Sequence, residues 1–116
     1  ELDLSAMKRA AIHFLGQHDF AAFCGNPKFK KSTVRFIRSL EITRVGEEIR
    51  ITVTGNGFLH NMVRIIAGTL LKVGSGQFAP EDMEGIIQGR DRSLAGPTAP
   101  AKGLTLVKIC YPNYEK

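Results

Sequence analysis

The chain has 116 residues, enough for one domain and too few for two of ordinary size. Hydrophobic residues make up 43% and charged residues 23%, the balance of a globular protein with a real but modest core. The longest apolar stretch, residues 58–73, is interrupted by His60, Asn61, Arg64 and Lys72, which excludes a membrane span there, and no secretory signal opens the sequence.

In chain order, Leu4, Met7, Ala11, Phe14 and Leu15 recur at helical spacing and predict a helix over residues 4–15, capped by Asp3 or Ser5 and stopped at Gly16. Residues 16–32 are rich in turn formers, and Phe20, Phe23 and Phe29 mark them as a loop pinned to the core. Val34, Phe36, Leu40 and Ile42 predict a long strand over 33–45. Gly46 and Glu47 make a turn, and Ile49, Ile51 and Val53 predict a second strand over 48–54, so the two form an antiparallel hairpin with one apolar face. Gly55-Asn56-Gly57 ends the hairpin. A long helix is expected over 58–73 and a short one over 81–88, followed by a loop rich in Pro, Gly and Ala over 93–102. A last strand runs from Leu104 toward Tyr111. This order predicts a single α+β domain over 1–116, an antiparallel sheet with helices packed on one face.

Cys24 and Cys110 have no CxxC or Cys/His spacing, so no metal site is expected. Their apolar sequence neighbours read as two reduced, buried thiols of a cytoplasmic protein. The formal net charge of +5 favours a polyanionic partner, because clustered cations displace counterions condensed on phosphates. Lys28, Lys30, Lys31, Arg35 and Arg38 crowd one short stretch. Arg90 and Arg92 form a smaller group. A solvated surface is the plain alternative for both, and the better reading of the second.

The helix expected over 58–73 carries the most information. Phe58, Leu59, Met62, Val63, Ile65, Ile66, Ala67, Thr69, Leu70 and Val73 cover roughly two thirds of its circumference at 3.6 residues per turn, so it should be largely buried. His60, Asn61, Arg64, Gly68 and Lys72 share the remaining sector with Leu71. A buried Arg64 has to meet a carboxylate, a phosphate or ordered water. Gly68, one turn on, permits close approach of a ligand or another backbone. An ion pair that only fixes the fold is the competing account. Glu41, Glu47, Glu48, Glu81, Asp82, Glu84 and Asp91 stand in exposed contexts, which leaves Asp19 as the internal partner to consider. If the carboxylate lies outside the chain, the chain is part of an active site. Opening on Glu1 with a helix pattern at once also fits a chain entered within a longer protein, or a trimmed small domain.

The stretch Gly55-Asn56-Gly57-Phe58-Leu59-His60-Asn61-Met62-Val63-Arg64, continuing through Gly68 to Gly74, resembles the hallmark segment of the TruA-type tRNA pseudouridine synthases. Gly16-Gln17-His18-Asp19-Phe20-Ala21-Ala22-Phe23, Thr33-Val34-Arg35-Phe36-Ile37 and Thr98-Ala99-Pro100-Ala101-Lys102-Gly103-Leu104, with a strand ending at Tyr111-Pro112, agree in the expected order. The resemblance implies the C-terminal half of an isomerase built from two related α+β halves that share one continuous sheet around an RNA-binding cleft. The family's catalytic aspartate, within a Gly-Arg-Thr-Asp type motif, and its active-site tyrosine belong to the N-terminal half. Neither Tyr111 nor Tyr114 takes the tyrosine's role.

The implied reaction isomerises uridine to pseudouridine in the tRNA anticodon arm without a cofactor. It needs an ionised carboxylate at the sugar and a flipped target nucleotide. By the same resemblance, Arg64 partners the missing aspartate and Leu104 is the apolar residue packed near the target base. Strand core is the alternative for Leu104. Lys28, Lys30, Lys31, Arg35, Arg38, His60 and Asn61 are the candidate RNA contacts, although His60 and Asn61 could equally act in packing. His18 and Asp19 read as a loop-fixing polar pair. The implied partners are tRNA, the N-terminal half and a second copy in a homodimer, with no membrane. A non-catalytic RNA-binding or dimerisation module on the same scaffold is the alternative.

Overall fold

The computed structural model describes residues 2–100 and 103–111; Ala101, Lys102, Pro112 and Tyr114 of the sequence motifs lie outside them. The elements are α1 (Leu4–Ile12), β1 (Gly16–Asp19), a 3-10 turn (Ala21–Phe23), β2 (Val34–Val45), β3 (Glu48–Gly55), α2 (Met62–Gly74), α3 (Asp82–Gly89), a second 3-10 turn (Arg92–Leu94) and β4 (Leu104–Cys110).

The Asp3 carboxylate accepts the Ala6 N–H at 3.0 Å and so caps α1. Ala6, Met7, Ala10 and Ala11 form its buried stripe. The helix ends at Ile12, before the expected position 15. His13, Phe14 and Leu15 bond carbonyls three residues back and tighten the chain into a turn. Gly16, at φ +95°, then turns the chain into β1.

β1 is the first departure from expectation, because the loop over 16–32 opens with a strand. Gln17, His18 and Asp19 carry no apolar alternation. They become a strand because the edge of β2 facing away from β3 offers Val34–Ile37 for antiparallel pairing, Ile37 lying between Gly16 and Gly55. Behind β1, Phe14, Phe20 and Phe23 pack edge to face, with centroid separations of 5.3 Å and 6.2 Å.

The sheet order is β1-β2-β3-β4. The first three strands are antiparallel, while β4 runs parallel to β3, so the α+β class holds with a mixed sheet in place of an all-antiparallel one. The chain leaves β3 at Gly55, crosses through α2 and α3, and re-enters the sheet at the other end, with Leu104 beside Ile49. A helical crossover of this kind produces parallel neighbours. Leu40, Ile42, Ile51 and Val53 meet in register on one face and are buried, while Glu41, Thr43 and Arg50 stand exposed on the other. Ile65, Ile66 and Leu70 of α2 are fully buried in the same core. Each such side chain contributes roughly 1.5–3 kcal/mol.

Candidate active site

α2 begins at Met62, not at residue 58. Asn61 has φ +57°, a left-handed conformation that interrupts the helical path, and the Met62 N–H bonds the Leu59 carbonyl at 3.0 Å. His60 and Asn61 therefore lie on the turn that leads into the helix and not on its polar stripe. His60 is exposed and Asn61 half-buried.

The polar sector of α2 is covered by backbone. A Cβ at Gly68 would overlap the Pro97 carbonyl oxygen, and one at Gly96 would lie 2.8 Å from the Thr69 Cα. The segment 96–99 thus lies as a strap directly on the helix. The buried Thr69 hydroxyl accepts the Gly96 N–H and donates to the Ile65 carbonyl, both at 2.8 Å. One turn earlier, the Arg64 carbonyl accepts the Ala99 N–H at 2.9 Å, and Arg64 Nη2 donates to the Ala99 carbonyl at 2.8 Å.

Arg64 is exposed, which corrects the expectation of burial. The apolar arc of α2 is buried as expected, but the Arg64 side chain leaves the helix beside the strap, where no described residue covers it fully. Asp19 is not its partner either. It lies 3.7 Å from Arg90 and accepts the Ala21 N–H and the Thr33 hydroxyl. That fits its expected loop-fixing role, as does His18, whose Nε2 lies 2.7 Å from the Leu15 carbonyl. Among the described residues no carboxylate pairs with Arg64.

Arg64 lines a cleft of about 230 Å³ together with Leu59, Asn61, Leu106 and Lys108. Leu104 does not line it. Leu104 is half-buried against the core beside Ile49, and Leu106 and Lys108 follow on the same face of β4. These two were missed from the sequence, yet period-two alternation from Leu104 places both on its face.

Lys28, Lys30 and Lys31 are exposed around the loop before β2, and Arg35 is half-buried. Arg38 lies over the Tyr111 ring at 4.3 Å. Arg92, expected to be solvated, is half-buried and donates to the Gly96 carbonyl at 2.9 Å, so it anchors the strap. The Asp91 carboxylate beside it is held below its ordinary pKa by hydrogen bonds from the backbone N–H and then the hydroxyl of Ser93. Cys24 is buried as expected. Cys110 is exposed, because it ends an edge strand whose outer side no described residue covers. Among the described residues no cluster of three or more His, Cys, Asp or Glu could hold a metal, and no helix is long and apolar enough to cross a membrane.

Fold and cleft together define an α+β domain that presents a fixed cation beside an open sheet edge. The sequence model of the tRNA pseudouridine synthase family matches residues 10–112, and the chain belongs to that family. It is 51% identical over 112 residues to the tRNA pseudouridine synthase A of Ruminiclostridium cellulolyticum, covering 96% of this chain and 46% of that protein. The corresponding protein of Geotalea uraniireducens is 48% identical over 110 residues, covering 95% of this chain and 45% of the relative. That of Brevibacillus brevis is 46% identical over 110 residues with the same coverage. The chain spans a little under half the length of these relatives.

Proposed function

We propose that this chain is the C-terminal half of a tRNA pseudouridine synthase, acting on uridine in the tRNA anticodon arm. The carrying observation is Arg64: an arginine anchored by one hydrogen bond to the Ala99 carbonyl, open to a cleft, and paired with no carboxylate among the described residues. The isomerisation breaks a uridine N-glycosidic bond, turns the detached base and rejoins it through carbon, with no cofactor. It requires an ionised carboxylate at the sugar. A guanidinium beside that carboxylate favours its charged form and fixes its direction. The aspartate comes from the N-terminal half, and Leu106 supplies the apolar wall of the Arg64 cleft, with Leu104 two residues before it on the same face of β4.

β4 is an edge strand among the described residues, and it borders the Arg64 cleft. Continuing the sheet beyond it brings the N-terminal half against Arg64, which supports the two-half arrangement. Lys28, Lys30, Lys31, Arg35 and Arg38 contact tRNA phosphates, with His60 and Asn61 at the cleft mouth. Homodimer formation is supported by the apolar groove between α1 and β2, where Ile12 is 65% exposed. The setting is the cytoplasm.

The test compares this chain alone with the full-length protein on anticodon-arm RNA, reading pseudouridine by mass spectrometry after derivatisation. Product from the full-length protein and none from the isolated chain is expected. Turnover by the isolated chain, or none by the full-length protein, overturns the proposal.

A further inference from the structure

We propose that a second cleft, beside the Arg64 cleft, holds one unpaired base of the RNA next to the target nucleotide, stacked against Phe29 and Phe58, with Arg35 at its phosphate. The inference rests on the tRNA-modifying reading above and deepens it.

The cleft measures about 350 Å³ and lies between the loop carrying Phe29 and the turn carrying Phe58 and His60. That volume is near the lower end of small-ligand sites, which run from about 300 to 1,000 Å³, and suits a single nucleotide. Leu59 lines both this cleft and the Arg64 cleft, so the two open on either side of one turn. A strand with its target sugar at Arg64 passes the second cleft with an adjacent nucleotide.

The walls are preformed. The Gly25 N–H bonds the His60 carbonyl at 2.8 Å, and a Cβ on Gly25 would lie only 3.0 Å from His60 Cδ2. On the other side the Asn56 side chain accepts the Phe36 N–H at 3.0 Å and fixes the start of the turn. Little ordering is left to oppose binding.

The lining is chosen for a base and a phosphate. Phe29 and Phe58 are half-buried, each resting on the core while lining the cleft. Phe29 stands within Lys28-Phe29-Lys30-Lys31, whose three lysines are exposed, and aromatic rings interleaved with cations are what single-stranded nucleic acid requires. Arg35 Nη1 donates to the Ser32 and Val34 carbonyls at 2.8 Å each, which fixes the guanidinium; its Nε and Nη2 donors have no partner among the described residues. Among the described residues no carboxylate lines the cleft. Arg90 and Arg92 on the far side of Phe29 are engaged by Asp19 and Gly96, so the phosphate lies on the Arg35 side.

The experiment uses the full-length protein with Phe29→Ala, Phe29→Tyr and Arg35→Gln, measuring kcat/KM on anticodon-arm RNA, thermal melting, and the fluorescence of 2-aminopurine placed on either side of the target uridine. Loss of one base–aromatic stack predicts a fall in kcat/KM of about 5- to 100-fold for Phe29→Ala, mainly through KM, with recovery in Phe29→Tyr. Quenching of one flanking 2-aminopurine should weaken in the alanine variant, and Arg35→Gln should lower the salt slope of binding by about 1. A folded Phe29→Ala protein with wild-type kcat/KM and quenching overturns the subsite. If Phe29→Ala fails to fold, an unchanged salt slope and KM in Arg35→Gln overturn it instead. Absence of pseudouridine with the wild-type protein sinks the enzymatic reading itself, an outcome separate from either variant result.

Discussion

Arg64 and Ala99 are joined twice: the Arg64 carbonyl accepts the Ala99 N–H at 2.9 Å, and the Arg64 guanidinium donates to the Ala99 carbonyl at 2.8 Å. The strap that lies on α2 is therefore also the mount of the one cation that points into the cleft from the helix. Arg64→Ala should abolish turnover in the full-length protein. Its stability should fall by only about 1 kcal/mol, the worth of one hydrogen bond at an exposed side chain. Arg64→Lys keeps the charge but loses the planar fork that can hold Ala99 and a carboxylate together, so it should stay far below wild-type activity. Melting curves and single-turnover assays check both. Near-normal turnover in Arg64→Ala removes Arg64 from the site.

Gly68 and Gly85 make opposite predictions from the same substitution. Replacing a helix-interior glycine by alanine ordinarily stabilises by about 0.5–1 kcal/mol. At Gly85 in α3 a new Cβ meets nothing within 4 Å, and that gain should be realised. At Gly68 the Cβ overlaps the Pro97 carbonyl oxygen, backbone that cannot rotate away. Overpacking costs of about 1–3 kcal/mol or more outweigh the propensity gain. Gly68→Ala should lower the denaturation midpoint and, by lifting the strap, also reduce turnover. A Gly68→Ala protein as stable as wild type would show that the strap can shift freely.

Much of this was legible in the sequence, and the failures have physical reasons. Alternation through Val34–Val45 and Glu48–Gly55 predicted the hairpin, and the apolar arc of α2 predicted a buried helix. β1 was invisible because its pairing is a property of the second edge of β2 and not of its own polar residues. The direction of β4 depends on the crossover through α2 and α3, which no local pattern encodes. Asn61 halted the helix short of Phe58 through one dihedral angle. For the site, the polar sector of α2 singled out Arg64, which lines the cleft, and Gly68, which the backbone at Pro97 approaches. Periodicity cannot tell which sector of a helix a distant loop will cover, so Gly68 proved to be under the strap and Arg64 beside its open edge.

Thr69 tests the strap from beneath. Its hydroxyl is fully buried and is the acceptor for the Gly96 N–H. Thr69→Val preserves the shape and leaves that N–H without its partner, which costs about 1–3 kcal/mol. Thr69→Ser keeps the hydrogen bond and loses one methyl, so it should be the milder variant. Denaturant titration of the two side by side checks the order. Equal stabilities would mean that methyl packing, and not the hydrogen bond, holds the strap at this point.

Asp91 gives the strap's approach a pH dependence. Its carboxylate accepts the Ser93 N–H at 2.9 Å and the Ser93 hydroxyl at 2.8 Å, and these bonds lower its pKa below the ordinary 3.8. A pKa depressed by folding contributes stability that is fully present above the unfolded value and is lost as pH falls through the folded value. Wild type should therefore exceed Asp91→Ala by a constant margin from neutral pH down to about pH 5, well above the ordinary 3.8 of this carboxyl. Below 3.8 the margin should shrink. Paired melts of the two proteins across this range measure it directly. A margin that persists unchanged into strong acid would show that the turn at Asp91 is held by its shape and not by the ionised carboxylate.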